Sequence, residues 1–305
     1  MTLFVGTSGW QYKDWRDVLY PSGLPMRLWL EEYTGHFATV EINNAFYRLP
    51  ARETFEDWRR RVPGDFVVAV KASRYLTHIK RLKEPEEPVH RLMSHAAGLG
   101  DRLGPVLLQL PPTLRADPGL LDACLACFPA TTRVAVEPRH DSWWTPEVRR
   151  VLESRRAALC WADILARPAT PLWRTADWGY VRFHQGRAEP WPRYGRRSLA
   201  TWLDRIATTW TDGEDVYAYF NNDPGGAAVA DATAFARAGR SAGLDITRTP
   251  ERLTRPSGRG TRQASRDASG QTDSRSPRRA PGAGLPCGSS PTGVGDARDH
   301  CIWSP

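Results

Sequence analysis

The chain has 305 residues, enough for one large domain or two ordinary ones. Its 41% hydrophobic and 25% charged content suits a soluble globular protein, and no run of about 18 apolar residues exists, so no membrane-spanning helix is expected. The net charge is +8, but nine Arg against five Asp or Glu lie from Glu251 onward, so half the basic excess sits in that tail and argues only weakly for a nucleic-acid partner.

The opening MTLFVGTSGW lacks a basic start followed by an apolar run. No secretory signal is expected, and the cytoplasm is the expected location. From Leu3 one pattern repeats: a short apolar run ends in polar residues, and a helix-like stretch follows. The runs are LFVGTS from Leu3, TVEIN from Thr39, FVVAVKAS from Phe66 and VLLQLPP from Val106. They continue with RVAVEPR from Arg133, ALCWAD from Ala158, GYVRFH from Gly179 and VYAYFNN from Val216. Amphipathic periodicity predicts helices over Met26–Phe37, Thr54–Val62, Pro118–Phe128, Pro146–Arg155, Ser198–Trp210 and Gly226–Ala242. Ile164 to Asp177, with Pro168 and Pro171, is poor in helix signal, so a sixth helix is expected to be short or replaced.

Strands alternating with helices indicate parallel βα units. Eight units in about 250 residues is the size of a (β/α)8 TIM barrel, an α/β fold. A doubly wound open sheet is the alternative. The expected organisation is one domain over residues 1–250. After Pro250 the chain is Arg, Ser, Gly, Pro and Asp with few apolar residues, so 251–305 is expected to be a disordered tail.

The five cysteines are Cys124, Cys127, Cys160, Cys287 and Cys301. An odd number without a signal indicates free thiols rather than a disulfide framework. CLAC at Cys124–Cys127 is read as two small core residues, with a redox pair or half a zinc site as alternatives.

Successive side chains of a strand face opposite ways. Val40 and Ile42 oppose Glu41 and Asn43; Val68 and Val70 oppose Ala69 and Lys71; Val134 and Val136 oppose Ala135, Glu137 and Arg139. Leu108 and Leu110 oppose Gln109; Val181 and Phe183 oppose Tyr180, Arg182 and His184; Phe220 opposes Tyr219 and Asn221. In ALCWAD, Trp161 and Asp163 share a face. One parity is branched and apolar, which suits contact with outer helices. The other is small in mid-strand (Gly6, Ala69, Ala135) and polar at the carboxyl end, which suits a filled interior under a reaction site.

VGTSGWQYKDW, VEINNAFYRLP, LGPVLLQLPP, VAVEPRHDSWW, YVRFHQG and VYAYFNND together resemble the YecE-like family, a bacterial domain of unknown function. The resemblance runs from about Leu3 to Gly243 and implies a TIM barrel with a site at the strand ends, but no reaction. The polar tail departs from the family pattern. So does Pro138, where the family more often has Phe.

Acid–base chemistry is expected from Glu41, Glu137, His184, Asp163 and Lys71. Substrate binding is expected from Asn43, Tyr47, Gln109, Arg139, His140, Arg182, Asn221 and Asn222, with the cations holding an anionic group. Trp143 and Trp144 are read as packing at the rim. Barrel dimensions put the Glu41 and Glu137 carboxyls roughly 6 Å apart, within the range of a glycosidase pair. The expected activity is that of a hydrolase or lyase on a small polar or anionic substrate. Residue for residue, the alternative is a charge-balanced pair such as Glu137 with Arg139.

No phosphate-binding or dinucleotide glycine motif occurs, so no cofactor is expected. A divalent metal on Glu41, Glu137, Asp163 and His184 is an alternative that Lys71, Arg139 and Arg182 oppose. A second functional reading is nucleic-acid binding or cleavage through QGRAEPWPRYGRR, where Arg187, Arg193, Arg196 and Arg197 interleave with Trp191 and Tyr194. A third is ligand binding without turnover.

Overall fold

The computed structural model describes residues 1–253, so the tail expected at 251–305 lies outside the described residues from position 254, as do Cys287 and Cys301. The strands are β1 (Thr2–Ser8), β2 (Thr39–Ile42), β3 (Val67–Lys71), β4 (Leu103–Gln109), β5 (Val134–Glu137) and β6 (Ala158–Leu159). They continue with β7 (Trp161–Ile164), β8 (Arg167–Pro168), β9 (Gly179–Gln185), β10 (Asp215–Phe220) and β11 (Asp245–Ile246). They form one sheet in the order β6-β5-β4-β3-β2-β1-β10-β9-β7-β8, with β11 beside β1. Every pairing is parallel except that of β7 with β8. The result is a single α/β fold built on a curled parallel sheet.

The run expected as one strand at Ala158–Asp163 is divided at Cys160. β6 pairs with β5 and β7 pairs with β9. No α-helix follows it; the chain turns back through β8 and reaches β9 without one. The prolines at 168 and 171 account for this, since each lacks a backbone donor and restricts the residue before it.

The helices are α1 (Trp29–His36), α2 (Asn44–Tyr47), α3 (Arg52–Arg61), α4 (Glu86–Ala96), α5 (Pro118–Ala126), α6 (Pro146–Ser154), α7 (Arg196–Thr209) and α8 (Ala227–Ser241). Two of them start on a signal legible in the sequence. Asp117 accepts from Leu120 N at 3.0 Å and Thr145 from Val148 N at 3.3 Å, each directly before a proline in the first turn. α2 and α4 are additions to the expected set.

The two strand parities separate two cores. Val40, Val68, Val70, Val136, Val181, Phe183 and Phe220 face the helices. Ala69, Leu107, Ala135, Ala158, Cys160, Tyr180, Tyr217 and Tyr219 pack on the other face. There, small residues from β3, β5 and β6 are matched by aromatics from β9 and β10, with Tyr180 and Tyr219 centroids 5.3 Å apart. Gly6 alternates with the helix-facing Val5, and a Cβ there would lie 2.4 Å from Thr39 O. Cys124 is buried in the helix-side core, where burial pushes its thiol up to about 12, and Cys127, which follows α5 as its C-cap, donates to Ala123 O. Among the described residues no helix is long and apolar enough to cross a membrane.

Candidate functional site

The inward parity brings Glu41, Gln109, Glu137, Arg139, Arg182, His184 and Asn221 into one hydrogen-bonded network at the carboxyl ends of β2, β4, β5, β9 and β10. Arg182 is its centre and is 1% exposed. Its two terminal nitrogens donate to Glu41 Oε1 at 2.8 Å and Glu137 Oε2 at 2.7 Å. Gln109 Nε2 also donates to Glu137 Oε2, at 3.0 Å, and Arg139 reaches Glu137 Oε1 at 3.4 Å. Burial alone would raise the Glu137 carboxyl, but Arg182, His184 and Arg139 hold it well below the usual carboxylate range.

Glu41 is held on all sides. Ser8 Oγ donates to its Oε1 at 2.6 Å, and the Tyr180 hydroxyl to its Oε2 at 2.6 Å. Ser8 and Tyr180 were not among the expected site residues, although both sit on the inward parity. The expected carboxyl gap of roughly 6 Å is therefore not open to substrate as in a glycosidase pair. The Arg182 guanidinium occupies it. The same guanidinium lies between two of the carboxylates that the metal alternative invokes, and among the described residues no group of three or more His, Cys, Asp or Glu is placed to hold a metal ion.

His184 lies between acid and amide. Its Nε2 is 2.7 Å from Glu137 Oε1, and its Nδ1 is 3.0 Å from Asn221 Nδ2. Burial lowers the imidazole to about 4 against the pull of Glu137. It is neutral at pH 7, with the proton on Nε2 and Nδ1 accepting from the amide.

A cationic sector adjoins this network. Lys71 is buried on β3, its Nζ 4.2 Å from the centroid of the Phe46 ring. His78, in the π-helical turn Tyr75–Ile79, packs edge-on to the same ring at 5.0 Å. Burial and then Lys71, Arg74, Arg139 and Arg81 push His78 down to about 4. Tyr47 packs against Phe46 as well but is 55% exposed, and Asn43 opens α2.

Several expected site residues are elsewhere or otherwise engaged. Asp163 is on the helix-facing side: Tyr194 OH and Trp202 Nε1 each donate to it at 2.7 Å, and Ala166 N donates at 3.0 Å. Burial raises it to about 6 against those donors. The inward residues of its segment are the small ones, Ala158 and Cys160. Asn222 points to α8, donating to Pro192 O and Asp231 Oδ2. His140 Nδ1 accepts from Ser142 N and starts the turn Asp141–Trp143. Trp143 is buried, with its indole donating to Leu114 O, and Trp144 packs against Trp173.

The Arg-rich loop after β9 is largely used by the fold. Arg193 pairs with buried Asp231 at 2.6 Å, Arg187 donates to Leu165 O, and Tyr194 is buried. Arg196 and Arg197 are exposed at the start of α7.

One further carboxyl belongs to the rim. Asp223 follows β10, within electrostatic reach of Tyr12, Arg182 and Glu41. Burial raises it to about 8, and Tyr12 and Arg182 oppose that only in part.

This geometry has relatives. UPF0759 protein YunF of Bacillus subtilis (strain 168) is 24% identical over 260 residues, covering 73% of this chain and 90% of that protein. UPF0759 protein YecE of Escherichia coli (strain K12) is 29% identical over 144 residues, covering 47% of this chain. The match spans about half, 50%, of the length of YecE. A crystal structure of a DUF72 family protein from Thermotoga maritima MSB8 superposes with a TM-score of 0.68 at 28% identity, covering 78% of this chain and 99% of that one. A second, from Enterococcus faecalis V583, superposes at 0.67 with 19% identity, covering 78% and 95%, and supports the fold alone. The model of the family described as "Protein of unknown function DUF72" matches residues 4–254, and the chain belongs to that family.

Proposed function

We propose that the chain is an enzyme, of hydrolase or lyase type, that acts on a small polar anion by acid–base chemistry at the strand-end ring. The observation that carries this is where unpaired buried atoms occur. Among the described residues ten buried side-chain polar atoms lack a hydrogen-bond partner, and five of them belong to residues at the strand ends around the network: Asn43 Oδ1, Arg139 Nε, Arg182 Nε, Asn221 Oδ1 and Asp223 Oδ1. Each such atom costs about 1–3 kcal/mol unless something pairs with it. A ligand with both acceptors and hydroxyl donors would do so.

The cationic sector around Lys71 and Arg139 favours a negative charge on that ligand. In this reading Lys71 and Arg139 hold the anion, and Asn43, Asn221 and Tyr47 orient the rest. His184 and Glu137 exchange protons, while Glu41, Gln109 and Arg182 keep Glu137 in place.

We further read the curled sheet as a closed (β/α)8 barrel. Cys160 N donates to Val136 O at 2.8 Å, while Trp161, the next residue, is already in register with Val181 of β9. One strand divided at Cys160 would thus bridge β5 and β9. In such barrels sites occupy the carboxyl ends of the strands, which supports the location by fold analogy.

Thermal stabilisation by phosphate, sulfate, sugar phosphates and sugar acids tests the proposal. Wild-type protein should be stabilised by at least one of them, and Lys71→Met and Arg139→Met should lose the shift while keeping their fold. No shift with any anion, or equal shifts in both variants, would overturn it. Stabilisation without turnover of any binding ester or glycoside would favour a non-catalytic binder. The exposed Arg196 and Arg197 favour nucleic-acid binding as a second reading, which undetectable binding at low salt would end.

A further inference from the structure

His184 has both ring nitrogens engaged inside the protein, one with Glu137 and one with Asn221. His78 has only one engaged. Its Nδ1 lies 2.9 Å from Thr77 Oγ1. The Thr77 hydroxyl has a single hydrogen and donates it to Ser73 O, four residues earlier, at 3.3 Å. Thr201 and Thr233 make the same contact on α7 and α8. A carbonyl cannot donate, so the Thr77 oxygen is left to accept from His78. The proton of the neutral imidazole is thereby fixed on Nδ1, and Nε2 keeps its lone pair. His78 is only partly buried. Among the described residues nothing hydrogen-bonds its Nε2, and that atom is not one of those buried without a partner, so it is open to a ligand.

The fold places this nitrogen beside the cationic sector. Lys71 is the last residue of β3, and His78 follows in the π-helical turn Tyr75–Ile79, closed by Lys80 N donating to Tyr75 O at 2.8 Å. Such turns recur at functional sites. Both side chains pack on one ring: Lys71 Nζ lies over Phe46 at 4.2 Å from its centroid, and His78 meets it edge-on at 5.0 Å. Beyond the turn, Arg81 donates to Thr113 O at 2.7 Å, which ties the segment to the loop after β4. Burial, and then Lys71, Arg74, Arg139 and Arg81, keep the imidazole down at about 4, in keeping with a neutral ring.

We propose that His78 is a specificity-determining residue of the anion site: its Nε2 accepts a hydrogen from the ligand, so the site prefers an oxyanion that carries a hydroxyl over one that carries none. This deepens the reading of the strand ends as an anion site and rests on that reading. Lys71 and Arg139 answer the charge of the ligand, and His78 answers its hydrogen.

Hydrogen phosphate and sulfate are the probes, because at pH 8 both are tetrahedral dianions of similar size and only phosphate carries a hydrogen. Calorimetry on the full chain should show phosphate bound at least about tenfold more tightly than sulfate in wild type, as expected for one hydrogen bond to a charged ligand. In His78→Phe, which keeps a ring against Phe46 without a nitrogen, phosphate should fall to within about twofold of sulfate. Thr77→Val removes the acceptor that fixes the tautomer and should shrink the preference as well. Nitrogen-15 NMR of the wild type should show the His78 proton on Nδ1. Equal binding of the two anions in wild type, a preference unchanged in His78→Phe, or a proton on Nε2 overturns the role of His78; if that binding is still lost in Lys71→Met, the anion site stands. No binding of either anion overturns both.

Discussion

His184 Nε2 lies 2.7 Å from Glu137 Oε1, a buried pairing in which the imidazole is the neutral donor. Burial lowers His184 to about 4, from an ordinary value of 6.5. Between those values the folded protein binds fewer protons than the unfolded chain, so stability rises with pH there and is lost as pH falls. His184→Gln removes this titration and keeps a donor toward Glu137. The melting midpoint of wild type should therefore climb more steeply than that of the variant between pH 4 and 6.5. Parallel curves would mean that His184 is charged in the folded state.

Arg182 compensates two buried carboxylates at once, Glu41 and Glu137. Arg182→Leu leaves both facing each other without their main counter-charge. Breaking a buried ion pair by removing one partner costs about 3–5 kcal/mol. Urea unfolding should show a loss of that size, and adding Glu41→Gln and Glu137→Gln to Arg182→Leu should recover most of it. A loss under about 1 kcal/mol would show that other donors already suffice.

The curled sheet and the Glu41–Arg182–Glu137 cluster were legible because strand alternation is a local rule. Val40 and Ile42 facing helices forces Glu41 the other way, and the same holds for Lys71, Glu137, Arg182 and His184. Polarity and alternation disagree at Ala158–Asp163. Polarity marked Asp163 as inward, yet Ala158 and Cys160 match the small inward Ala69 and Ala135. The donors that let Asp163 be buried on the other face are Tyr194 and Trp202, which lie far along the chain and leave no mark near it. Asp223 carries no local signal for a similar reason. Its environment is set by Tyr12, from the opposite end of the folded chain. Arg193 looked like a nucleic-acid contact because its partner Asp231 is on a later helix.

Asp163 should act in stability and not in ligand binding. Tyr194 and Trp202 both donate to it, and an amide in its place can accept at only one atom. Asp163→Asn should cost about 1–3 kcal/mol in urea unfolding, the usual penalty for a buried group left unpaired. Sulfate affinity of the variant should match wild type, because Asp163 faces away from the ring. An unaltered stability with lost sulfate binding would return Asp163 to the site.

Asp231 is the anchor of the loop between β9 and α7. It is fully buried on α8 and accepts from Arg193 Nε at 2.6 Å, Tyr194 N at 2.8 Å and Asn222 Nδ2 at 2.8 Å. Three donors converge on one carboxylate, two of them from the loop itself. Asp231→Ala takes the carboxylate from Arg193 Nε and Tyr194 N, while Asn222 keeps only its bond to Pro192 O, so the loop should open at a free energy well below that of global unfolding. Trypsin should then cut after Arg187 and Arg193 at least about tenfold faster than in wild type, which corresponds to about 1.4 kcal/mol of lost local stability. Mass spectrometry of the early fragments would locate the cuts. Equal cleavage rates would mean that Tyr194, buried with its hydroxyl on Asp163, holds the loop without help from Asp231.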